Sequence, residues 1–195
     1  METTLQESEN LTWTAAAAFS TNRSDSFKSG RSFPLVSGGG NDGWSHSGFL
    51  KLSTNVGGFT GPLFWNTNAY FSQGIAGVTL DEHLHNLDVA GIEPGKARAV
   101  GALTDIGLSL SPTTTINVRL AGQLAFSRLP GSMSFGLGSA VGLRGLPGSL
   151  IGGDSGYLAT GEVVWTPWQK DEQRISLIPY LGIGGVHTDS SVGTF

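Results

Sequence analysis

The chain lacks cysteine, is poor in charge and has no long apolar run, and each absence removes a class of protein. Without cysteine there is no disulfide framework and no thiolate chemistry. Without a run of roughly 18 apolar residues there is no transmembrane helix. Charged residues make up 13% of the chain, against about 25% in soluble globular proteins. The net charge of −4 argues against a general nucleic-acid binder. The first residues, METTLQESEN, also lack the basic region and apolar stretch of a secretory signal. Residues 1–10 are therefore read as a non-native or flexible start, and the chain as a fragment.

In place of charge the chain carries 30 glycines and numerous Ser, Thr and Asn among its 195 residues. A soluble sandwich covers its wet faces with Lys and Glu. A barrel in lipid needs an apolar outer face and a merely polar lumen. The length suits one domain or one segment of a membrane barrel.

Period-two alternation recurs throughout, and helical periodicity is scarce. Leu11, Trp13, Ala15, Ala17 and Phe19 share one face of a first strand. In a second, over about residues 44–56, Leu50, Leu52 and Val56 oppose Lys51, Ser53 and Asn55. A third spans about 62–73, with Leu63, Trp65, Ala69 and Phe71 opposite Asn66 and Asn68. A fourth, about 98–110, sets Val100, Ala102, Ile106 and Leu108 opposite Gly101 and Asp105. The fifth is the clearest: Ile116, Val118, Leu120 and Leu124 oppose Asn117, Arg119, Ala121 and Gln123. In the sixth, about 157–166, Tyr157, Val163 and Trp165 oppose Thr160 and Glu162. In the seventh, about 174–185, Leu181 and Ile183 oppose Tyr180 and Gly182.

The connections alternate in length. Long ones fall at about 21–43, 74–97 and 128–156, and short ones at 57–61, 111–112 and 167–173. Long on one side and short on the other is the pattern of a membrane barrel, and a soluble sandwich has no reason to keep it. Trp13, Trp44, Trp65, Trp165 and Trp168 fall mostly near strand ends, as interfacial girdles require. The expectation is an all-β, antiparallel, up-and-down transmembrane β-barrel segment of about seven strands.

Other chemistries fit less well. Gly136-Leu137-Gly138 has no βαβ unit around it to bind a dinucleotide. Asp81-Glu82-His83-Leu84-His85 places two imidazoles on one side of an extended chain, a spacing compatible with zinc. Polar loops make such clusters by chance, and no metal or cofactor is assigned. Gly153-Asp154-Ser155-Gly156 is similar to the nucleophile segment of chymotrypsin-like proteases. That match stops at Tyr157, where those enzymes carry another glycine. None of His46, His83, His85 and His187 stands in a catalytic context, so the chain is read as not an enzyme.

The densest signal lies in residues 135–165. A glycine-punctuated stretch leads into Gly142-Leu143-Arg144-Gly145, followed by Gly153-Asp154-Ser155-Gly156 and a strand carrying Glu162. This order resembles the loop and following strand of the ShlB/FhaC/HecB haemolysin secretion/activation family, two-partner secretion transporters of the POTRA-barrel superfamily. There the loop reads VRG plus an aromatic, then a GDxG element and a strand with a Glu. Here Leu143 replaces Val, and Leu146 stands where the aromatic sits. Ser32-Phe33-Pro34-Leu35 with the glycines of 38–43 is similar to a long exterior loop of cyanobacterial-type members.

The resemblance implies that residues 11–187 are part of a translocator barrel, roughly the seventh to the thirteenth strands of a larger one. The loop at about 128–156 would fold into the lumen, and residues 188–195 would be a loop or truncated end. Arg144 would sit at the loop tip and pair with a wall Asp. The matching strand reads Tyr180-Leu181-Gly182-Ile183-Gly184, with Gly182 at the Asp position. Glu162 and Asp105 are then the alternative partners, and an Asp introduced at 182 is expected to capture Arg144. Arg119, Gln123, Tyr180 and Gly182 would line the lumen with Lys51, Asn66 and Asn68.

The implied function is export of a large unfolded exoprotein, of haemolysin or adhesin type, across the bacterial outer membrane without nucleotide hydrolysis. Its partners would be that exoprotein and the lipid bilayer, with no nucleic acid. POTRA domains and further barrel strands of the parent protein would be missing here. An assembly barrel of the same superfamily, or a passive porin-like or structural barrel, is the alternative.

Overall fold

The computed structural model describes residues 1–25, 27–28, 31–32, 44–78, 84, 87–88, 91–138, 143–144, 151–170 and 173–189. In chain order the strands are β1 (Glu2–Ser8), β2 (Leu11–Asp25), β3 (Phe27–Lys28), β4 (Arg31–Ser32), β5 (Trp44–Thr60), β6 (Leu63–Ile75), β7 (Arg98–Ser111), β8 (Thr114–Ala125), β9 (Phe135–Leu137), β10 (Ile151–Gly153), β11 (Ser155–Lys170), β12 (Gln173–Leu177) and β13 (Tyr180–His187). One antiparallel sheet forms the wall, in the order β1-β2-β5-β6-β7-β8-β11. Beyond β11 lie β13, along its first half, and β12, along its end. The β3–β4 and β9–β10 pairs are small ribbons inside long connections. The wall is thus an all-β, antiparallel, up-and-down transmembrane β-barrel segment, and its sheet is not closed.

The alternation in the sequence becomes two faces because cross-strand partners share a side of the sheet. One row runs Ala17, Leu52, Phe71, Val100 and Leu124. These side chains point away from the protein: Leu124 is 56% exposed, and Leu181 on β13 is 79% exposed. Along β6, β7, β8 and β13, register places only Arg98 among Asp, Glu, Lys and Arg on this outer face, at the long-loop rim. The opposite, lumenal face carries the row Asn66, Asp105, Arg119, Thr160 and Gly182.

The short connections cluster at one rim. At residues 61–62 the turn needs Gly61, whose φ of 58° suits a residue without a Cβ. Trp13, Trp165 and Trp168 are exposed near this rim, and Trp13 donates its indole N–H to Thr54 Oγ1 at 2.7 Å. The long connections gather at the other rim.

Within residues 1–10, read as a non-native or flexible start, Glu2–Ser8 forms β1, paired to β2 from Glu2↔Ala16 to Ser8↔Leu11. Every residue of β1 is exposed, and ETTLQES carries no apolar alternation that would announce a strand. The expected seventh strand is two, β12 and β13. Pro179 lies between them and has no N–H to give to the ladder, although its carbonyl still accepts from Val163 N at 3.1 Å.

Buried apolar side chains gather where the chain between β8 and β11 folds onto the lumenal face. Leu129 and Met133 pack on Ala97 and Ala99, with Phe49 and Ala125 alongside. Further along, Leu137 and Leu143 pack on Leu158, with Ala121, Phe135 and Val186 around them.

Candidate functional site: the lumenal loop and its wall

The loop is held at its root by polar side chains of the wall. Gln123 on β8 faces the lumen and is buried. Its Nε2 donates to the carbonyls of Met133 and Asp154, both at 2.9 Å. Its Oε1 accepts from Tyr70 Oη at 2.7 Å. The Ser132 and Ser47 hydroxyls meet at 2.7 Å.

Asp154 closes the root from the other side. It is only 4% exposed. Its Oδ1 accepts from Leu129 N and its Oδ2 from Asp189 N, each at 2.9 Å. One carboxylate therefore ties the start of the loop to the end of β13. Charge-assisted bonds to backbone amides of this kind are about twice as strong as neutral ones. The neighbouring residues make the close approach possible. A Cβ on Gly153 would stand 2.8 Å from Val186 Cβ, and one on Gly156 would collide with the Phe135 ring. Ser155 Oγ accepts from Ala125 N at 3.0 Å, bonding the start of β11 to the end of β8.

The tip is seated by a side chain and latched by a charge. Leu143 is buried, and its amide donates to Gly138 O at 3.2 Å. Next to it, Arg144 Nη2 lies 2.7 Å from Glu162 Oε2. The guanidinium stands over the Tyr180 ring, 4.8 Å from its centroid. Glu162 is opposite both Asn117 and Tyr180 in register, and its other oxygen accepts from Asn117 Nδ2 at 3.2 Å. Two strands of the wall thus set the acceptor and the aromatic surface for one guanidinium. Planar Arg suits this mixture of carboxylate pairing and ring stacking better than Lys does.

Asp105 is not Arg144's partner. It is opposite Arg119 in the adjacent row and binds it by two contacts, Nε to Oδ1 at 2.6 Å and Nη2 to Oδ2 at 3.3 Å. The two ion pairs border one lumenal recess of about 410 Å³.

An Asp introduced at Gly182 was expected to supply a partner for Arg144, which in this structure pairs with Glu162. The structure fills that place with other atoms: a Cβ on Gly182 would lie 2.9 Å from Leu143 Cδ2 and 2.5 Å from Tyr180 Oη. One on Gly184 would lie 3.0 Å from Leu143 Cδ1. These two glycines form a cradle for Leu143.

Gly142 and Gly145 of the motif lie outside the described residues, as do Leu146, the Asp81-Glu82-His83 cluster with His85, and residues 33–43. Sequence reasoning missed Tyr70 and Asn117 as parts of the site. Both share the inward parity of residues that were recognised, Asn66 and Asn68 for one and Arg119 for the other, so parity alone could have found them.

No family model matches the chain, and no curated protein matches it. Among solved structures it is similar to CdiB from Escherichia coli, with a TM-score of 0.78 and 14% identity over 97% of this chain and 34% of that one. It is also similar to CdiB from Acinetobacter baumannii, with a TM-score of 0.69 and 13% identity over 98% of this chain and 31% of that one. The chain spans about a third of the length of these structures. At these identities the likeness shows the fold: a partial barrel of this kind.

Proposed function

We propose that the chain supplies part of the wall and the lumenal loop of an outer-membrane two-partner secretion transporter, through which a secreted exoprotein crosses the bilayer. CdiB is a two-partner secretion transporter, and the motif around Arg144 resembles that of the ShlB/FhaC/HecB family. The exoprotein is of the large, unfolded haemolysin or adhesin type. The outer face supports a place in lipid: it is apolar between the rims, with exposed Trp13, Trp165 and Trp168 near the short-turn rim.

The observation that carries the proposal is the pairing of Arg144 with Glu162 across the lumenal face. A translocator needs a loop that fills the lumen at rest and moves when a chain enters. The latch suits that task, because the Arg144 side chain is 56% exposed and Glu162's is 24% exposed. A pair in such a setting contributes only about 0–1 kcal/mol, so water and a passing polypeptide can replace it. No cofactor, metal or bond-making step enters this reading.

The test is secretion by the full-length protein co-expressed with a large exoprotein of the haemolysin or adhesin type from the same source. The expected result is release that depends on the transporter and is reduced by Arg144→Ala at equal surface levels. Transporter-independent release, or normal release by the variant, would overturn the reading. Insertion of other outer-membrane proteins in place of export would assign the barrel to assembly.

A further inference from the structure

The root of the loop is gripped from farther away than the latch at its tip. Ser53, Tyr70, Gly101, Gln123 and Gly156 form one lumenal row across β5, β6, β7, β8 and β11. Neighbouring strands are about 4.8 Å apart, so β6 and β8 are separated by about twice that distance. A Tyr side chain spans the gap only by lying flat over β7. Gly101 is where it crosses: a Cβ there would collide with Cζ and Oη of Tyr70 and would stand 2.8 Å from the backbone carbonyl of Gly122. The ring is covered by Lys51 of β5, whose Nζ is 4.2 Å from the centroid.

We infer that Tyr70 is a positioning residue for the lumenal loop, acting through Gln123 across the side-chain-free Gly101. The chemistry follows from the inventory of the Gln123 amide. Both acceptors on the loop, the carbonyls of Met133 and Asp154, require N–H donors, so the amide nitrogen must face the loop. That turns Oε1 towards β6, where the Tyr70 hydroxyl is the donor that satisfies it. Without that hydroxyl a buried acceptor loses its partner, and the amide loses the contact that fixes its orientation. The far wall thereby sets the position of the loop root, independently of the Arg144 latch. This inference rests on the reading of the loop as a lumenal element of a transporter.

This chain contributes no cysteine, and with any cysteine elsewhere in the full-length protein replaced by serine, one introduced thiol reports cleanly. Met133→Cys, at a buried position of the root, is labelled with a maleimide in outer-membrane vesicles holding the full-length protein. Heat-modifiable gel mobility checks the barrel in parallel. In the reporter protein labelling should be slow. Tyr70→Phe should quicken it about five-fold, as loss of one hydrogen bond implies, with gel mobility unchanged because the ring and its packing remain. Gln123→Met should quicken it more, and adding Tyr70→Phe to Gln123→Met should change nothing further, because Tyr70 acts only through that amide. An unchanged rate in Tyr70→Phe, or a full additional effect on top of Gln123→Met, overturns the inference and leaves the transporter reading standing. Rapid labelling with Tyr70 and Gln123 both intact overturns the docked loop itself, and both proposals with it.

Discussion

Leu143 occupies the space that a side chain at Gly182 would need: a Cβ there would lie 2.9 Å from Leu143 Cδ2. The wall glycine and the loop leucine are complementary shapes. Seating Leu143 brings Arg144, the next residue, within 2.7 Å of Glu162. A side chain at position 182 would require Leu143 and the Tyr180 hydroxyl to shift, while Glu162 already supplies the carboxylate for Arg144.

Gly182→Asp is therefore expected to undock the loop tip rather than strengthen it. The carboxylate would displace Leu143 from its cradle, forfeiting about 1.5–3 kcal/mol of apolar burial. Trypsin cleavage after Arg144 in the intact protein should become faster, and Leu143→Ala should do the same. Slower cleavage in Gly182→Asp would show that the cradle is not what seats the tip.

Arg144→Ala and Glu162→Gln should each reduce export per transporter at the cell surface, and the double variant should be no worse than either single one, since each removes the same contact. Barrel stability should fall by less than about 1 kcal/mol, because the pair is partly exposed. Secreted cargo is compared with surface-exposed transporter. Independent, multiplying defects would mean that the two residues serve different steps.

Asp154→Ala should destabilise the loop root more than any change at the tip. It strips the buried amide of Leu129 of its acceptor, at about 1–3 kcal/mol for a buried group left unsatisfied, and it removes the tie to the exposed Asp189. Asp154→Asn keeps one acceptor oxygen and should be milder. Urea titration of loop protection should rank the proteins wild type, Asn, Ala. Equal midpoints for all three would remove Asp154 from the account of the root.

The 195-residue chain expressed alone should fail to form a closed barrel. Its described sheet ends in β1 on one side and in β12 and β13 on the other, and an open edge in lipid costs several kcal/mol per unsatisfied backbone group. In detergent it should aggregate or remain unfolded. A compact monomer with heat-modifiable mobility on semi-native gels would contradict this, and would point to closure by a second copy or by edges pairing with each other.

The faces of the wall were legible in the sequence because a strand has a period of two and the two sides meet different media. Leu50 against Lys51, or Leu120 against Arg119, is enough to assign a side. The strand β1, ETTLQES, was not legible in this way, since it carries no period-two alternation of apolar residues. The break at Pro179 was visible as a residue, but only the pairing of both β12 and β13 with β11 shows that it interrupts one side of the wall.

At the site, residue order alone singled out Leu143, Arg144, Asp154 and Glu162, because a motif keeps its chemistry in sequence. What each one touches was decided by the tertiary structure. Asp105 and Glu162 both face the lumen, and sequence offers no means of choosing between them as partner for Arg144. Register makes the choice, setting Asp105 opposite Arg119 and Glu162 opposite Tyr180, within reach of the loop tip. Gly182 read as a missing charge, and packing sets it against Leu143 and Tyr180. A sequence records which atoms a residue lacks, whereas packing determines what fills the room they leave.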